Sequence, residues 1–278
     1  MDANAGKVHL TKEKETYLAT LYGKALDASA QRPILGDRLA AEAVARIDFD
    51  FRKIKLPRGG EITLPLRALH FDRWTRAFLA AHPEATVLHL GCGLDTRVFR
   101  IDPGPGVRWF DVDFPDVIAL REQLYPERPG YQRIGTSVTD LAWLDQVPGD
   151  RPVMVIGEGL FMYVPEKDGL ALLRRITERF PGGQIAFDGY STAMLRMVSR
   201  LAAVRGAKVE LIWGVGDPRD LERQVPRLRL VEEVSFLTMP ELVDRMATGR
   251  ISRAIGELMG RWSFYRKLVR HLRYELTR

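Results

Sequence analysis

A glycine-rich turn set directly after a short apolar run constrains this chain more than any other feature. Val87-Leu88-His89-Leu90 is nearly continuous in its hydrophobicity, as expected of a parallel strand buried on both faces, and Gly91-Cys92-Gly93-Leu94-Asp95-Thr96-Arg97 follows at once. Glycines at such a point let the chain turn tightly and let a ligand come close to the backbone, while the next helix offers free N–H groups. In a doubly wound sheet this turn falls at the carboxyl ends of the strands, where ligands bind. An acid about twenty residues further on, at the end of a second strand, suits a ribose hydroxyl pair, and Asp111 and Asp113 both lie there. A dinucleotide fingerprint carries a third glycine where Thr96 stands, which argues against NAD and for a nucleoside ligand without a pyrophosphate. A tight strand-to-helix turn with no ligand would have the same glycines.

The flanking pattern supports an α/β fold with a doubly wound parallel sheet. Further strands are expected at 107–112, 131–134, 153–156 and 185–187, with helical patterns between them. The clearest helix starts at Pro165, carries Leu170, Leu173, Ile176 and Phe180, and stops at Pro181-Gly182-Gly183. Residues 228–236 and 268–276 also read as strands and are placed to close the sheet edge in antiparallel fashion. Upstream, helical spacing is expected over 11–29, through Leu39, Ala43 and Ile47, and over 66–81. The resulting division is an N-terminal helical cap at 1–82 and a ligand-binding domain at 83–278. Within the latter, 190–225, a helix plus the turn Trp213-Gly214-Val215-Gly216-Asp217-Pro218, is expected as a cap insertion.

Composition narrows the function classes. A chain of 278 residues can bury a full core. Its single cysteine, Cys92, excludes an intrachain disulfide framework, and its five histidines show no HExxH-type spacing, so no metal is expected. No apolar run approaches the ~20 residues that span a bilayer, and the first fifteen residues have no signal-peptide core. These features point to a cytoplasmic protein with no membrane partner. The net charge of +6 is carried by arginines that alternate with glutamates, the look of a solvated surface rather than a nucleic-acid face.

Three ordered motifs add a resemblance. Leu90-Gly91-Cys92-Gly93-Leu94-Asp95-Thr96-Arg97 resembles the LGAGLDTR signature of the leucine carboxyl methyltransferase family. Phe110-Asp111-Val112-Asp113-Phe114-Pro115 is similar to its second block, and Gly157-Glu158-Gly159-Leu160-Phe161-Met162-Tyr163-Val164-Pro165 to its third. The segments around Arg67 and from Glu15 to Leu26 also look like that family, so the resemblance covers about residues 15–236, in the bacterial branch associated with polyketides. It implies a class I methyltransferase (Rossmann-like) fold that binds S-adenosyl-L-methionine (SAM) and methylates an oxygen of a small-molecule acceptor. Small departures are Cys92 for alanine, Asp111 for glutamate, and Ser137-Val138 where eukaryotic relatives carry Asp-Leu against adenine.

On this reading Asp113 accepts two hydrogen bonds from the ribose diol, its alternative being a cap on the next helix. Asp111 is expected to be a structural partner turned to the opposite side of the strand. The resemblance implies that Glu158 holds the methionine ammonium, that Arg67 and then Lys24 hold the carboxylate, and that Gly91, Cys92 and Gly93 supply close backbone approach. Each charged residue could instead belong to a structural ion pair. Tyr163 and Tyr190 follow the fourth and fifth strands and are candidates for the acceptor pocket or for aromatic core packing. A carboxylate acceptor is ionised at neutral pH and needs no base, whereas a phenol, with a pKa near 10, needs one. No catalytic base is evident in the sequence, which favours a carboxyl acceptor. The competing classes are a SAM-binding protein that transfers no methyl group and an NAD-dependent oxidoreductase.

Overall fold

The computed structural model describes residues 8–9, 15–57, 59–204, 211–247 and 249–277. The expected helix start at 11–14 and the 205–210 portion of the expected insertion lie outside them. Seven strands form the main sheet: β1 (Thr86–Leu90), β2 (Arg108–Asp113), β3 (Tyr131–Gly135), β4 (Val153–Gly157), β5 (Gly183–Tyr190), β6 (Leu228–Ser235) and β7 (Val269–Leu276). Their order is β3-β2-β1-β4-β5-β7-β6. The first five run parallel, and β7 enters antiparallel between β5 and β6. All five positions of β1 and of β4 are buried, as a central strand covered on both faces requires, whereas β6, at the edge, alternates. The direction of winding reverses between β1 and β4, so the crevice outside their carboxyl ends is the topological switch point.

Three helices precede the sheet: α1 (Glu15–Ala28), α2 (Arg38–Arg46) and α3 (Gly60–Ala81). Leu18, Leu21, Ala40 and Ala43 of the first two pack with Leu94, Leu120, Leu124 and Tyr125, which places this pair over the glycine-rich turn. The third helix begins six residues before the expected 66. Gly59 in the left-handed region (φ 77°) starts it, and Pro65 is accommodated inside it. A two-stranded parallel pair, Val8–His9 with Ile47–Asp48, flanks α2.

Within the sheet domain, α4 (Arg97–Ile101), α5 (Pro115–Leu124) and α6 (Glu166–Arg179) connect strands, and α6 buries Leu170, Leu173 and Ile176 on the expected face. After β5 come α7 (Thr192–Val204) and α8 (Asp220–Gln224). The chain between them is pinned to the sheet: the Ile212 N–H donates to the Met162 carbonyl (2.7 Å) and the Val215 N–H to the Tyr190 carbonyl (2.8 Å). Trp213 and Val215 are part of the main core, with the Trp213 ring edge-on to Phe161. Between β6 and β7 lie α9 (Pro240–Met246), α10 (Arg250–Met259) and α11 (Ser263–Arg266), three helices for which the sequence reading had no expectation. No helix among the described residues is long and apolar enough to cross a membrane.

Candidate functional site

The glycine-rich turn leaves β1 with two left-handed residues, Gly91 (φ 58°) and Gly93 (φ 51°). The Gly91 N–H is tied to the Val112 carbonyl of β2 (2.8 Å). A Cβ on Gly91 would come within 2.9 Å of the Leu160 side chain, and one on Gly93 within 3.3 Å of the Tyr17 ring, so both positions need glycine for conformation and for space. Asp113, the last residue of β2, reaches across: its Oδ2 accepts the Gly93 N–H (2.7 Å) and its Oδ1 the Phe114 N–H (2.8 Å). Burial pushes its carboxyl above the ordinary aspartate range. Cys92 between the glycines is buried, and burial raises its thiol, so it is a small core residue rather than a nucleophile.

Asp111 corrects one expectation. Residues two apart on a strand share a face, so Asp111 lies on the side of Asp113 and is separated from it by depth. There it accepts from the Arg121 guanidinium, the Tyr131 hydroxyl (2.6 Å) and Trp109 Nε1 (2.9 Å). Burial opposes its charge, but Arg121 and His89 outweigh burial and hold the carboxyl well below the usual range. Its structural role stands as expected.

The second half of the site is a network of buried charges. Glu158, just past β4, is bound by Arg67 Nε (2.8 Å) and by Arg97. Arg67, on α3, also reaches Asp188 on β5 (3.3 Å), whose other oxygen accepts the Gly159 N–H (2.6 Å). Lys24 from α1 is buried with its Nζ 2.8 Å from Asp95, which in turn meets Arg100 at 2.5 Å. Arg97 and Arg100 converge on Asp72 (2.7 and 3.0 Å), and Arg100 also meets Asp37 (2.9 Å), the N-cap of α2. Thr96, at the place of a third glycine, donates to Asp37 (2.6 Å), which fastens α2 to the turn. Burial raises the Glu158 carboxyl, but Arg67 and Arg97 override burial and keep it well below its ordinary value. Asp188 goes the other way, pushed up by burial.

The structure thus brings the sequence-selected residues into two adjoining groups. Gly91, Cys92, Gly93 and Asp113 form the first, and Lys24, Arg67 and Glu158 enter the second. Ser137 and Val138 follow β3 beside the first group: the neighbouring Thr136 N–H donates to the Asp113 carbonyl (2.8 Å), Ser137 Oγ lies 2.8 Å from Thr139 Oγ1, and Val138 is buried. Tyr163 is exposed past the end of β4 and Tyr190, the last residue of β5 rather than a residue after it, is half-buried, both near Arg67 and Asp188. Sequence reasoning missed Tyr17, which lies over Gly93 with its phenol pushed up to about 12 by burial and by Asp113. It also missed Asp188. The available signal there was an acid ending the apolar strand Ile185-Ala186-Phe187, the pattern that marks Asp113 on β2.

Comparison with known proteins agrees with this architecture. The sequence profile of leucine carboxyl methyltransferases matches residues 2–177. The chain is 47% identical over 237 residues to the tetracenomycin polyketide synthesis O-methyltransferase TcmP of Streptomyces glaucescens, covering 85% of this chain and 88% of that protein. It is 36% identical to the S-adenosyl-L-methionine-dependent methyltransferase dpfgK of Gibberella zeae, covering 84% and 85%. A Thermobifida fusca protein solved as a candidate methyltransferase shares the fold with a TM-score of 0.57 at 18% identity, over 92% of this chain and 94% of that one. The chain belongs to the leucine carboxyl methyltransferase family, and it is a methyltransferase whose cofactor is S-adenosyl-L-methionine.

Proposed function

We propose that the protein methylates an oxygen of a small-molecule acceptor, a carboxylate or phenolic hydroxyl of a polyketide-like or other secondary metabolite. The observation that carries the cofactor half of this reading is the pairing of the Asp113–Gly93 contact with the Glu158–Arg67–Lys24 network at one end of the sheet. When bound, SAM supplies a sulfonium methyl group that an acceptor oxygen attacks in line, forming the C–O bond as the C–S bond breaks and leaving S-adenosylhomocysteine (SAH).

The residues fit such a ligand by charge. Among the described buried groups of the network, Lys24, Arg67, Arg97 and Arg100 face Asp37, Asp72, Asp95, Glu158 and Asp188, four cations against five carboxylates. The exposed Arg76 reaches Asp72 only from outside, at 4.0 Å. A ligand with an ammonium, a carboxylate and a sulfonium adds one net positive charge, so it re-pairs these groups without stranding any of them in the interior, where an uncompensated charge is costly. In this reading Glu158 takes the ammonium, Arg67 and Lys24 the carboxylate, and Asp113 the ribose hydroxyls. Gly91, Cys92 and Gly93 give backbone approach, and Ser137 and Val138 border the adenine. Residues 1–82 act as a helical cap over the 83–278 domain, with 190–225 as a second covering segment beside Tyr163 and Tyr190. The protein's contribution to rate is then mostly positioning, which can supply up to ~7–11 kcal/mol for well-oriented reactants.

Calorimetric titration with SAH tests this assignment. Wild type is expected to bind SAH, and Asp113→Ala is expected to weaken binding by about a hundredfold or more, the scale of two lost hydrogen bonds to a charged group. Unchanged affinity in Asp113→Ala and in Glu158→Ala would refute the assigned roles.

A further inference from the structure

The segment between β6 and β7 turns an apolar side outward. Ile251, Ile255 and Leu258 recur at helical spacing along α10, Trp262 and Phe264 follow, and each of the five is more than half exposed. An amphipathic helix on a globular surface ordinarily buries that side. Here the side of α10 toward the protein is marked by Gly256, where a Cβ would lie 3.2 Å from the Val243 side chain of α9, and no residue of α10 is buried. Five large apolar side chains so close together form a patch rather than scatter.

The same stretch is basic. Arg250, Arg253, Arg261, Arg266 and Lys267 stand against one acid, Glu257. Of these cations only Arg253 has an ion-pair partner among the described residues, Asp244 at 3.0 Å. Ser263, between Trp262 and Phe264, lines a polar cleft of about 280 Å3 together with Glu233, Ser235, Arg266 and Lys267. Glu233 is paired with Arg270 (3.2 Å), and Ser235 Oγ is buried with no hydrogen-bond partner among the described residues. Two uncommitted cations and an orphaned hydroxyl suit the oxygens of a phosphate group. The patch also adjoins the cofactor crevice. Both β5 and β6 pair antiparallel with β7, so the chain leaves β6 at the end of the sheet where the crevice opens. Phe236, Met239 and Leu242 pack there with Tyr190 and with Leu66, the neighbour of Arg67.

We propose that α10, α11 and this cleft form a docking surface for an anionic phospholipid membrane, with the five apolar side chains in the interfacial layer and a lipid phosphate at Ser235, Arg266 and Lys267. Tryptophan, phenylalanine and aliphatic residues flanked by arginines are the composition of a helix that lies in the plane of a membrane surface. A second copy of the chain fits less well, because a two-fold contact lays the patch on itself and brings the two sets of cations together. The contact is peripheral, which the lack of a membrane-spanning helix among the described residues leaves open, and it holds the crevice at the lipid surface whatever the acceptor is.

The test is co-sedimentation of the full-length protein with vesicles of phosphatidylcholine alone and of equal parts phosphatidylcholine and phosphatidylglycerol. The mixed vesicles are expected to bind it about tenfold more tightly or better, and added salt is expected to weaken that binding. Ile255→Ser with Leu258→Ser is expected to lose binding to the mixed vesicles by about tenfold or more, with the thermal melt and SAH affinity unchanged. Arg266→Gln with Lys267→Gln is expected to bring the mixed vesicles down toward the neutral ones. Equal binding of the two vesicle types, or binding that survives either double variant, would overturn the proposal. So would protein that stays free of both vesicles, including the case in which inorganic phosphate alone binds in calorimetry. A stable wild-type dimer that Ile255→Ser with Leu258→Ser dissolves would overturn it too and assign the patch to a second copy.

Discussion

Glu158 and Arg196 both lie toward the end of the sheet where the glycine turn opens, and their surroundings differ in kind. Glu158 is buried and held by two arginines that are themselves held by Asp72, Asp95 and Asp188. Arg196 stands in water with no carboxylate partner among the described residues. In the first region every charge is desolvated when the protein folds, so the groups must be matched in number and position before any ligand arrives. In the second the charges stay solvated, and nothing in the fold depends on them. A fixed, shared cofactor suits the first construction. In the second, arginines can change without unsettling the core.

Paired substitutions would break this comparison if it is wrong. Glu158→Ala leaves Arg67 and Arg97 short of a buried partner and is expected to cost about 3–5 kcal/mol of stability. Arg196→Ala is expected to stay within about 0.5 kcal/mol of wild type. Urea denaturation followed by circular dichroism measures both. A similar small loss in the two variants would mean that the buried network contributes specificity for the ligand and little to the fold.

A smaller effect is expected at the turn that joins the two halves. Gly91→Ala puts a Cβ at a left-handed position and 2.9 Å from the Leu160 side chain, which follows Glu158 by two residues. Conformational strain of about 1–2 kcal/mol follows, and the displaced Leu160 carries the disturbance to both sides of the crevice. Stability should fall by about that amount and SAH affinity should fall with it. If stability drops while SAH affinity holds, the turn shapes the fold and leaves the ligand untouched.

The sequence carried the first region far better than the second. Gly91, Gly93, Asp113 and Glu158 sit at strand ends, where the pattern of an apolar run followed by a turn fixes their place, so all four were readable one strand at a time. All seven strands were legible for the same reason. What joins the strand ends was not legible. Asp188 binds Arg67 across 121 residues, and Lys24 meets Asp95 across 71, and neither separation leaves a local trace. Asp111 and Asp113 lie two apart on one strand and so share a face, which strand alternation alone already requires against the opposite-side expectation. In the second region Arg196 and Arg200 belong to an amphipathic helix like any other, and only the packing of Trp213 onto the core gives their face a cleft to border. The helices between β6 and β7 are only seven, ten and four residues long, which makes them weak signals beside two long strands.

The least costly probe of the paired region is pH, because Asp113 and Glu158 are shifted in opposite directions. The arginines keep Glu158 ionised in the folded protein well below its ordinary value of 4.5. Its contribution to stability is therefore fully present above that value and drains away as the pH falls below it. Burial raises Asp113 above its ordinary 3.8, so the folded chain takes up that proton earlier than the unfolded chain does. Protonation at Asp113 favours the folded state slightly and at the same time removes the carboxylate that would accept the ribose hydroxyls. Lowering the pH from neutral should weaken SAH binding first, while the urea midpoint holds, and only at lower pH should the fold itself begin to lose stability. Asp113→Asn should flatten the first effect and leave the second in place. A single midpoint shared by SAH affinity and stability, unchanged by Asp113→Asn, would mean that the two carboxylates titrate as one unit and that the ribose contact lies elsewhere.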